Sequence, residues 1–326
     1  MLDLSTNFMG LELDNPIIVG SSGLTDSTEK IIQLEKDGAG AVVLKSIFEE
    51  EVTMEYEQLL QEEPEDSGRE EFLDYLDLRI RENRISSYVQ LIKESKKSTS
   101  IPIIASINCS NPYEWLSFAK EVENAGADAL ELNIYNPPSN PKNKSSITEK
   151  RYIDILSSVK NKISIPVALK ISPYFTEFMY SLCHISKSGA DGIVMFNKYY
   201  SPDIDIDALK ITSSNITNNN DYSQALRWTA IASGIINTDI CASKGINDSK
   251  TIIKMLLAGA SAVQIVSALY KNESSTFIPK LIDEIQTWMK SHNFTSISDF
   301  KGILSQKNTS NPTLYERVQF MKYYSS

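Results

Sequence analysis

The chain has 326 residues, 41% of them apolar and 23% charged, with a formal net charge of −10. That length admits one large α/β barrel or two average domains. It holds no apolar run of the roughly 18–20 residues that a bilayer span requires, and its acidic balance without a basic patch excludes nucleic acid as the expected partner. The start, MLDLSTNFMGLELDNP, lacks a basic region followed by an apolar core, so no signal peptide is read and a cytoplasmic location is expected. Three cysteines, Cys109, Cys183 and Cys241, stand far apart without a CxxC, and the two histidines are His184 and His292. This set fits a reducing compartment and offers neither a His-rich metal site nor a cysteine set for an iron–sulfur cluster. Neither histidine sits at a strand end, which argues against a Ser-His-Asp triad.

Along the chain, LSTNFMGLELDNP alternates and turns at Met9-Gly10, predicting a β-hairpin that plugs the bottom of the main body. Strand 1 is PIIVGSSG from Pro16, and a helix follows over 27–38, opening on Ser and closing on Gly. Strand 2 is AVVLKS from Ala41. Residues 47–100 form an insertion, strongly acidic at first (FEEEVTMEYEQLLQEEPEDSGREE) and then helical. IPIIASIN from Ile101 is strand 3, a helix covers 113–126, and ALELNI from Ala129 is strand 4. A helix over 149–161 leads to strand 5, IPVALKIS from Ile165. FMYSLCHISKSGA is helical and leads to strand 6, GIVMFN from Gly192. A polar insertion over 198–222 precedes strand 7, DICASKGI from Asp239. A helix over 248–260 then leads to strand 8, AVQIVSAL from Ala262.

Near-continuous apolar strands alternating with helices indicate a parallel sheet covered on its faces. The phrases KDGAGAVVL, NAGADALEL, KSGADGIVM and LAGASAVQI share one form: a helix end, a Gly-Ala turn and the next strand. That join, recurring before strands 2, 4, 6 and 8, predicts a TIM (β/α)8 barrel, a single α/β domain over 1–326 with insertions at 47–100 and 198–222. An open doubly wound sheet is disfavoured because no GxGxxG follows the first strand. Both insertions follow strand C-terminal ends, where barrels build their sites, and read as lids or partner surfaces. The acidic run reads equally well as a solvated helix face.

Polar residues then converge on one rim. Strand 1 ends in Ser21-Ser22-Gly23, strand 2 in Lys45-Ser46, strand 3 in Asn108-Cys109 and strand 4 in Asn133. Strand 5 ends in Lys170, strand 6 in Asn197-Lys198, strand 7 in Ser243-Lys244-Gly245 and strand 8 in Ser267. One Ser or Asn at a strand end usually satisfies backbone groups, but that reading does not account for every strand at once, so a small-molecule site is expected. The SKGI and VSAL turns lie where barrels bind phosphate. A strand-5 lysine can stabilise negative charge on a cofactor or transition state. Two asparagines that both donate and accept suit a flat heterocycle.

With these residues in view, the chain resembles the dihydroorotate dehydrogenase family, through NPIIVGSSG, GAGAVVLKS, ELN, IPVALKISPYF, the strand-6 Asn and LAGASAVQIVSALYK. It is most similar to a dihydroorotate dehydrogenase-like subgroup with FEE after strand 2, a tyrosine after ELNI, a PDID segment and a tail like GILSQKN…YERVQFMK. The resemblance implies an FMN-dependent oxidoreductase acting on a CH–CH bond, in pyrimidine biosynthesis for the family, and a homodimer. It places Ser21, Ser22, Lys45, Ser46, Asn133 and Lys170 against the isoalloxazine and ribityl groups, with Lys170 at the N1/O2 edge and Asn108 as a further flavin contact. Lys244, Gly245, Val266 and Ser267 fall on phosphate positions, and Asn133 and Asn197 on positions that also touch orotate. Departures are equally plain. The family's Cys or Ser base position holds Asn136, the next orotate asparagine is Pro138, and the substrate motif after strand 2 is replaced by the acidic insertion. A glycine pair becomes Lys244-Gly245, where Lys244 either contacts the phosphate or crowds the backbone. Tyr135 is the nearest alternative acid/base, with Cys109 in reserve. A phenol ordinarily titrates at about 10 and needs lowering for that task. Any route to NAD requires direct binding or an electron-transfer protein partner. The remaining readings are a flavin-binding barrel with altered catalysis and a flavin-free lyase or isomerase of phosphorylated metabolites.

Overall fold

The computed structural model describes residues 2–48, 69–108, 112–134, 139–198, 202–213 and 221–316. Strands β1 (Thr6–Phe8) and β2 (Leu11–Leu13) pair antiparallel, Phe8 opposite Leu11. Met9 and Gly10 turn the chain with φ of 59° and 78°. Two consecutive positive φ values give the tight hairpin turn whose twist matches its strands.

Eight parallel strands follow: β3 (Ile17–Val19), β4 (Ala41–Val43), β6 (Ile103–Asn108), β7 (Ala129–Asn133), β8 (Val167–Ile171), β9 (Gly192–Met195), β12 (Asp239–Ser243) and β13 (Ala262–Ile265). β13 pairs with β3, and β4 pairs with β6 across the insertion, so the sheet closes. A short β5 (Ile47–Phe48) runs beside β6 only. The second insertion contains a hairpin of its own, β10 (Pro202–Asp205) and β11 (Lys210–Ser213), with Ile204 opposite Ile211.

The helices outside are α1 (Thr28–Lys36), α2 (Arg69–Ser98), α3 (Pro112–Ala125), α4 (Ser145–Lys160), α5 (Phe178–Lys187), α6 (Tyr222–Ala232), α7 (Ser249–Ala258), α8 (Ser267–Lys271) and α9 (Ser274–Ser291). Caps match the sequence signals. Ser27 accepts from Lys30 N at the start of α1, Asp248 accepts from Thr251 N at the start of α7, and Gly259 ends α7 at φ 111°. The helical half of the first insertion is α2; its acidic beginning, 49–68, lies outside the described residues.

The inner layer explains why the site is at one end. Each strand alternates its side chains between the helix layer and the barrel axis. At the bottom the axis holds apolar residues: Ile18, Val43, Ile104, Ala129, Ala168 and Val194 pack with Cys241, Ala262 and the hairpin residues Phe8, Met9 and Leu13. Gly192 permits this plug, because a Cβ there would stand 2.5 Å from Met9 Cγ. Two residues further along the strands, the same face becomes polar. Ser106, Glu131, Lys170 and Gln264 follow Ile104, Ala129, Ala168 and Ala262, and all four are buried.

Candidate active site

Above this polar layer lies a cavity of about 220 Å³. It brings together seven of the residues singled out from sequence: Ser21, Lys170, Asn197, Lys244, Gly245, Val266 and Ser267. Lys198, Ser243 and Gln264 join them.

The remaining candidates surround the cavity or face elsewhere. Asn133 is 6% exposed, and its Oδ1 accepts from Asn197 Nδ2 at 2.5 Å. Ser46 is buried. Its backbone N–H donates to Ser21 Oγ at 2.8 Å, and its hydroxyl lies 2.7 Å from Ser106 Oγ. Ser106 is pinned in turn by Tyr88 of α2, whose phenol donates to its carbonyl and accepts from its N–H. Burial, the largest influence, pushes the Tyr88 phenol up. Ser22 spends its hydroxyl locally, donating to Gly20 O and accepting from Leu24 N. Lys45 follows β4 and its backbone N–H donates to Thr25 O at 3.2 Å. Asn108 ends β6 with a buried Nδ2 that has no hydrogen-bond partner among the described residues. Tyr135, with Asn136, Pro137, Pro138 and Cys109, lies outside the described residues.

The turn after β12 carries Lys244, for which the sequence offers either a phosphate contact or a crowded backbone. Lys244 and Gly245 are both left-handed, at φ 77° and 76°. A Cβ on Gly245 would stand 2.3 Å from Tyr222 N, so this second position demands glycine. Lys244 takes up the positive φ itself and lines the cavity. Its charge is felt by Lys198, whose ammonium is held below the ordinary lysine range chiefly by burial. Asp221 opposes that shift, while Lys244 and Lys271 add to it. One end of the cavity is therefore cationic.

The other end is built on a buried group of three. Lys170 Nζ donates to Glu131 Oε1 at 3.3 Å and to Gln264 Oε1 at 2.9 Å. Gln264 Nε2 donates to Glu131 Oε2 at 2.6 Å. Reasoning from strand ends misses Glu131 and Gln264, because both lie inside their strands. A signal does exist: each is a long polar residue in the middle of a strand that otherwise buries apolar side chains. Such a residue is retained only with partners. Lys198 is visible as a strand end, though its sequence position alone gives it no role.

These residues fit an anionic, heterocyclic cofactor. Lys198, Lys244 and Lys170 provide charge along the cavity wall, and Asn197, which lines it and donates to Asn133, provides a neutral hydrogen-bonding group. The profile of the family described as dihydroorotate dehydrogenase matches residues 3–289. The chain belongs to the dihydroorotate dehydrogenase family. Among its relatives, the dihydroorotate dehydrogenase B (NAD(+)) catalytic subunit of Thermoplasma acidophilum is 28% identical over 317 residues, covering 93% of this chain and 99% of the relative. The subunit of the same name from Pyrococcus horikoshii is 27% identical over 318 residues, covering 92% and 97%. That from Methanocaldococcus jannaschii is 27% identical over 311 residues, covering 90% and 95%. This member of the dihydroorotate dehydrogenase family is thus an oxidoreductase enzyme on a closed (β/α)8 barrel. Among the described residues, no helix is long and apolar enough to cross a membrane.

Proposed function

We propose that this chain is an FMN-dependent dehydrogenase that oxidises a CH–CH bond of dihydroorotate or a closely related small cyclic substrate. The observation that carries this reading is the buried Lys170, held by Glu131 and Gln264 at the floor of a cavity whose far end carries Lys198 and Lys244. FMN would supply a hydride acceptor. Lys170 would set a positive charge beside the part of the ring that gains electron density, and Lys198 and Lys244 would hold the phosphate. The Asn133–Asn197 pair would orient the substrate, since each amide can both donate and accept. Oxidation of a CH–CH bond releases a proton as well as a hydride, so a base is needed. Asn136 stands at the family's base position and cannot take a proton in this role. Tyr135 is its neighbour in the sequence, and we assign it the proton transfer. The subgroup reading rests on FEE after strand 2, the tyrosine after ELNI, the PDID segment and the GILSQKN…YERVQFMK tail.

The relatives are named as catalytic subunits of an NAD(+)-linked enzyme. We propose accordingly that electrons leave through a partner protein; that the catalytic chain is a homodimer is proposed from the family resemblance alone.

The test is spectroscopic. The purified protein is expected to show flavin absorbance, or to gain it with FMN, and the band near 450 nm (roughly; a property of flavins) is expected to bleach on anaerobic addition of dihydroorotate. Colour that persists with dihydroorotate would redirect the search to another substrate of the same chemical class. A protein that remains colourless after incubation with FMN would overturn the flavin reading and favour a lyase or isomerase of phosphorylated metabolites.

A further inference from the structure

The strand that ends in Asn133 carries Glu131 one step below it on the same inward face. Glu131 is 1% exposed and does not line the cavity, whereas Lys170 and Gln264 do. Both of its oxygens are used, one by the Lys170 ammonium and one by the Gln264 amide, and Gln264 closes the third side by accepting from Lys170. The orientation of the Gln264 amide is therefore dictated: its NH₂ must face the carboxylate and its oxygen the ammonium. An ammonium has three N–H groups. Among the described residues two are spent below the cavity, on Glu131 and Gln264, so the third is aimed into it.

The carboxylate also changes how strong the lysine is as a cation. Lys170 is 7% exposed, and water screens its charge poorly at that depth. Left alone, it would act with full strength on any electron-rich group in the cavity. With Glu131 at 3.3 Å its field is partly compensated. Two other titratable groups face this pair, the Cys241 thiol and the Tyr88 phenol; each is pushed up mainly by its own burial and so stays neutral.

We infer that Glu131 is a positioning residue that acts through Lys170: it aims the ammonium at the cofactor and sets how much positive charge the bound flavin experiences. The inference rests on the flavin reading above. It assigns to Glu131 control of reduction potential, with no contact to cofactor or substrate.

The experiment is a redox titration of the full-length protein loaded with FMN, comparing wild type with Glu131→Gln, which keeps the shape and removes the charge. Unmasking Lys170 is expected to shift the equilibrium toward reduced flavin about tenfold, roughly 30 mV upward for a two-electron couple. In a Lys170→Met background the same change is expected to shift the potential by clearly less, because no aimed ammonium remains and only the carboxylate's own direct field is removed. Should Glu131→Gln not fold, Glu131→Asp carries the test: withdrawing the carboxylate by one methylene is expected to raise the potential by a smaller amount. A potential that is unchanged or lowered in a flavin-loaded variant overturns the inference while leaving the flavin reading intact. A wild-type protein that takes up no FMN overturns both.

Discussion

At the residue scale, the buried ion pair is the feature most exposed to test. Lys170 and Glu131 are 9% and 1% exposed at their side chains. Removing one partner of such a pair strands the other charge, which typically costs about 3–5 kcal/mol, whereas replacing both is often close to neutral. Lys170→Met is therefore expected to lower the thermal midpoint clearly, and Lys170→Met combined with Glu131→Leu to recover much of the loss. Differential scanning calorimetry of the two variants decides it. A double variant as unstable as the single one would mean that Glu131 is satisfied without the lysine. For activity, loss of Lys170 is expected to lower the rate of anaerobic flavin reduction by a factor on the order of 10²–10³, comparable to losing one electrostatic contact in other enzymes. Stopped-flow measurement on FMN-loaded protein gives that rate directly.

At the element scale, one device recurs where a helix hands over to a strand. Asp128 Oδ2 accepts from Ile103 N and from Lys96 Nζ, both at 2.7 Å. Asp191 Oδ2 accepts from Val167 N at 2.7 Å and from Lys160 Nζ at 2.6 Å. These aspartates are the ones in NAGADA and KSGADG, so two of the four repeated joins seen in the sequence are electrostatic locks between consecutive units. A second device uses glutamates on the helices. Glu35 takes the Ser100 N–H and hydroxyl, and Glu123 takes those of Ser164. Hydrogen bonds from the Lys120 side chain, then from Ser164, hold the Glu123 carboxyl down at about 2. Its folded-state pKa thus lies below the unfolded value, and the stabilisation it gives is present above that unfolded value and lost as pH falls toward the folded one. Glu123→Gln is expected to be less stable than wild type at pH 7, with the gap closing as the pH falls from about 4.5 to about 2. Urea denaturation at several pH values measures it, and a gap independent of pH would show that the carboxylate's charge is not what matters.

At the scale of the whole molecule, closure and plugging set the working end. The hairpin fills the bottom of the barrel against Gly192, so ligands have the opposite rim. Gly192→Ala is expected to destabilise by about 1–3 kcal/mol through overpacking, and Met9→Ala in the same chain to relieve part of it. Thermal melts of the single and double variants check the coupling. If the rim holds FMN, the cofactor stabilises the whole fold by mass action: at a hundred times its dissociation constant the gain is about 2.7 kcal/mol. A melt with added FMN should shift upward in wild type and less in Lys244→Glu, which reverses a charge at the cationic end of the cavity.

The eight strands, the capped helices between them, the hairpin and the rim of polar residues are legible in the chain before it folds. All of these are written in local periodicity: two along a strand, three to four along a helix, with Gly and Ser or Asp at the ends. The sequence also marked the departure at Asn136, because a missing base is a matter of residue identity. Only the tertiary structure decided the rest. Glu131, Lys170 and Gln264 lie 39, 94 and 133 positions apart in their pairs, and no local pattern tells which buried polar residue answers which. Their meeting follows from closure of the sheet, which sets strand registers and brings β7, β8 and β13 to one axis at one height. The demand for glycine at 245 was likewise decided by packing, since a Cβ there would stand 2.3 Å from Tyr222 N. Periodicity fixes which face a side chain takes; closure of the barrel fixes whom it meets there.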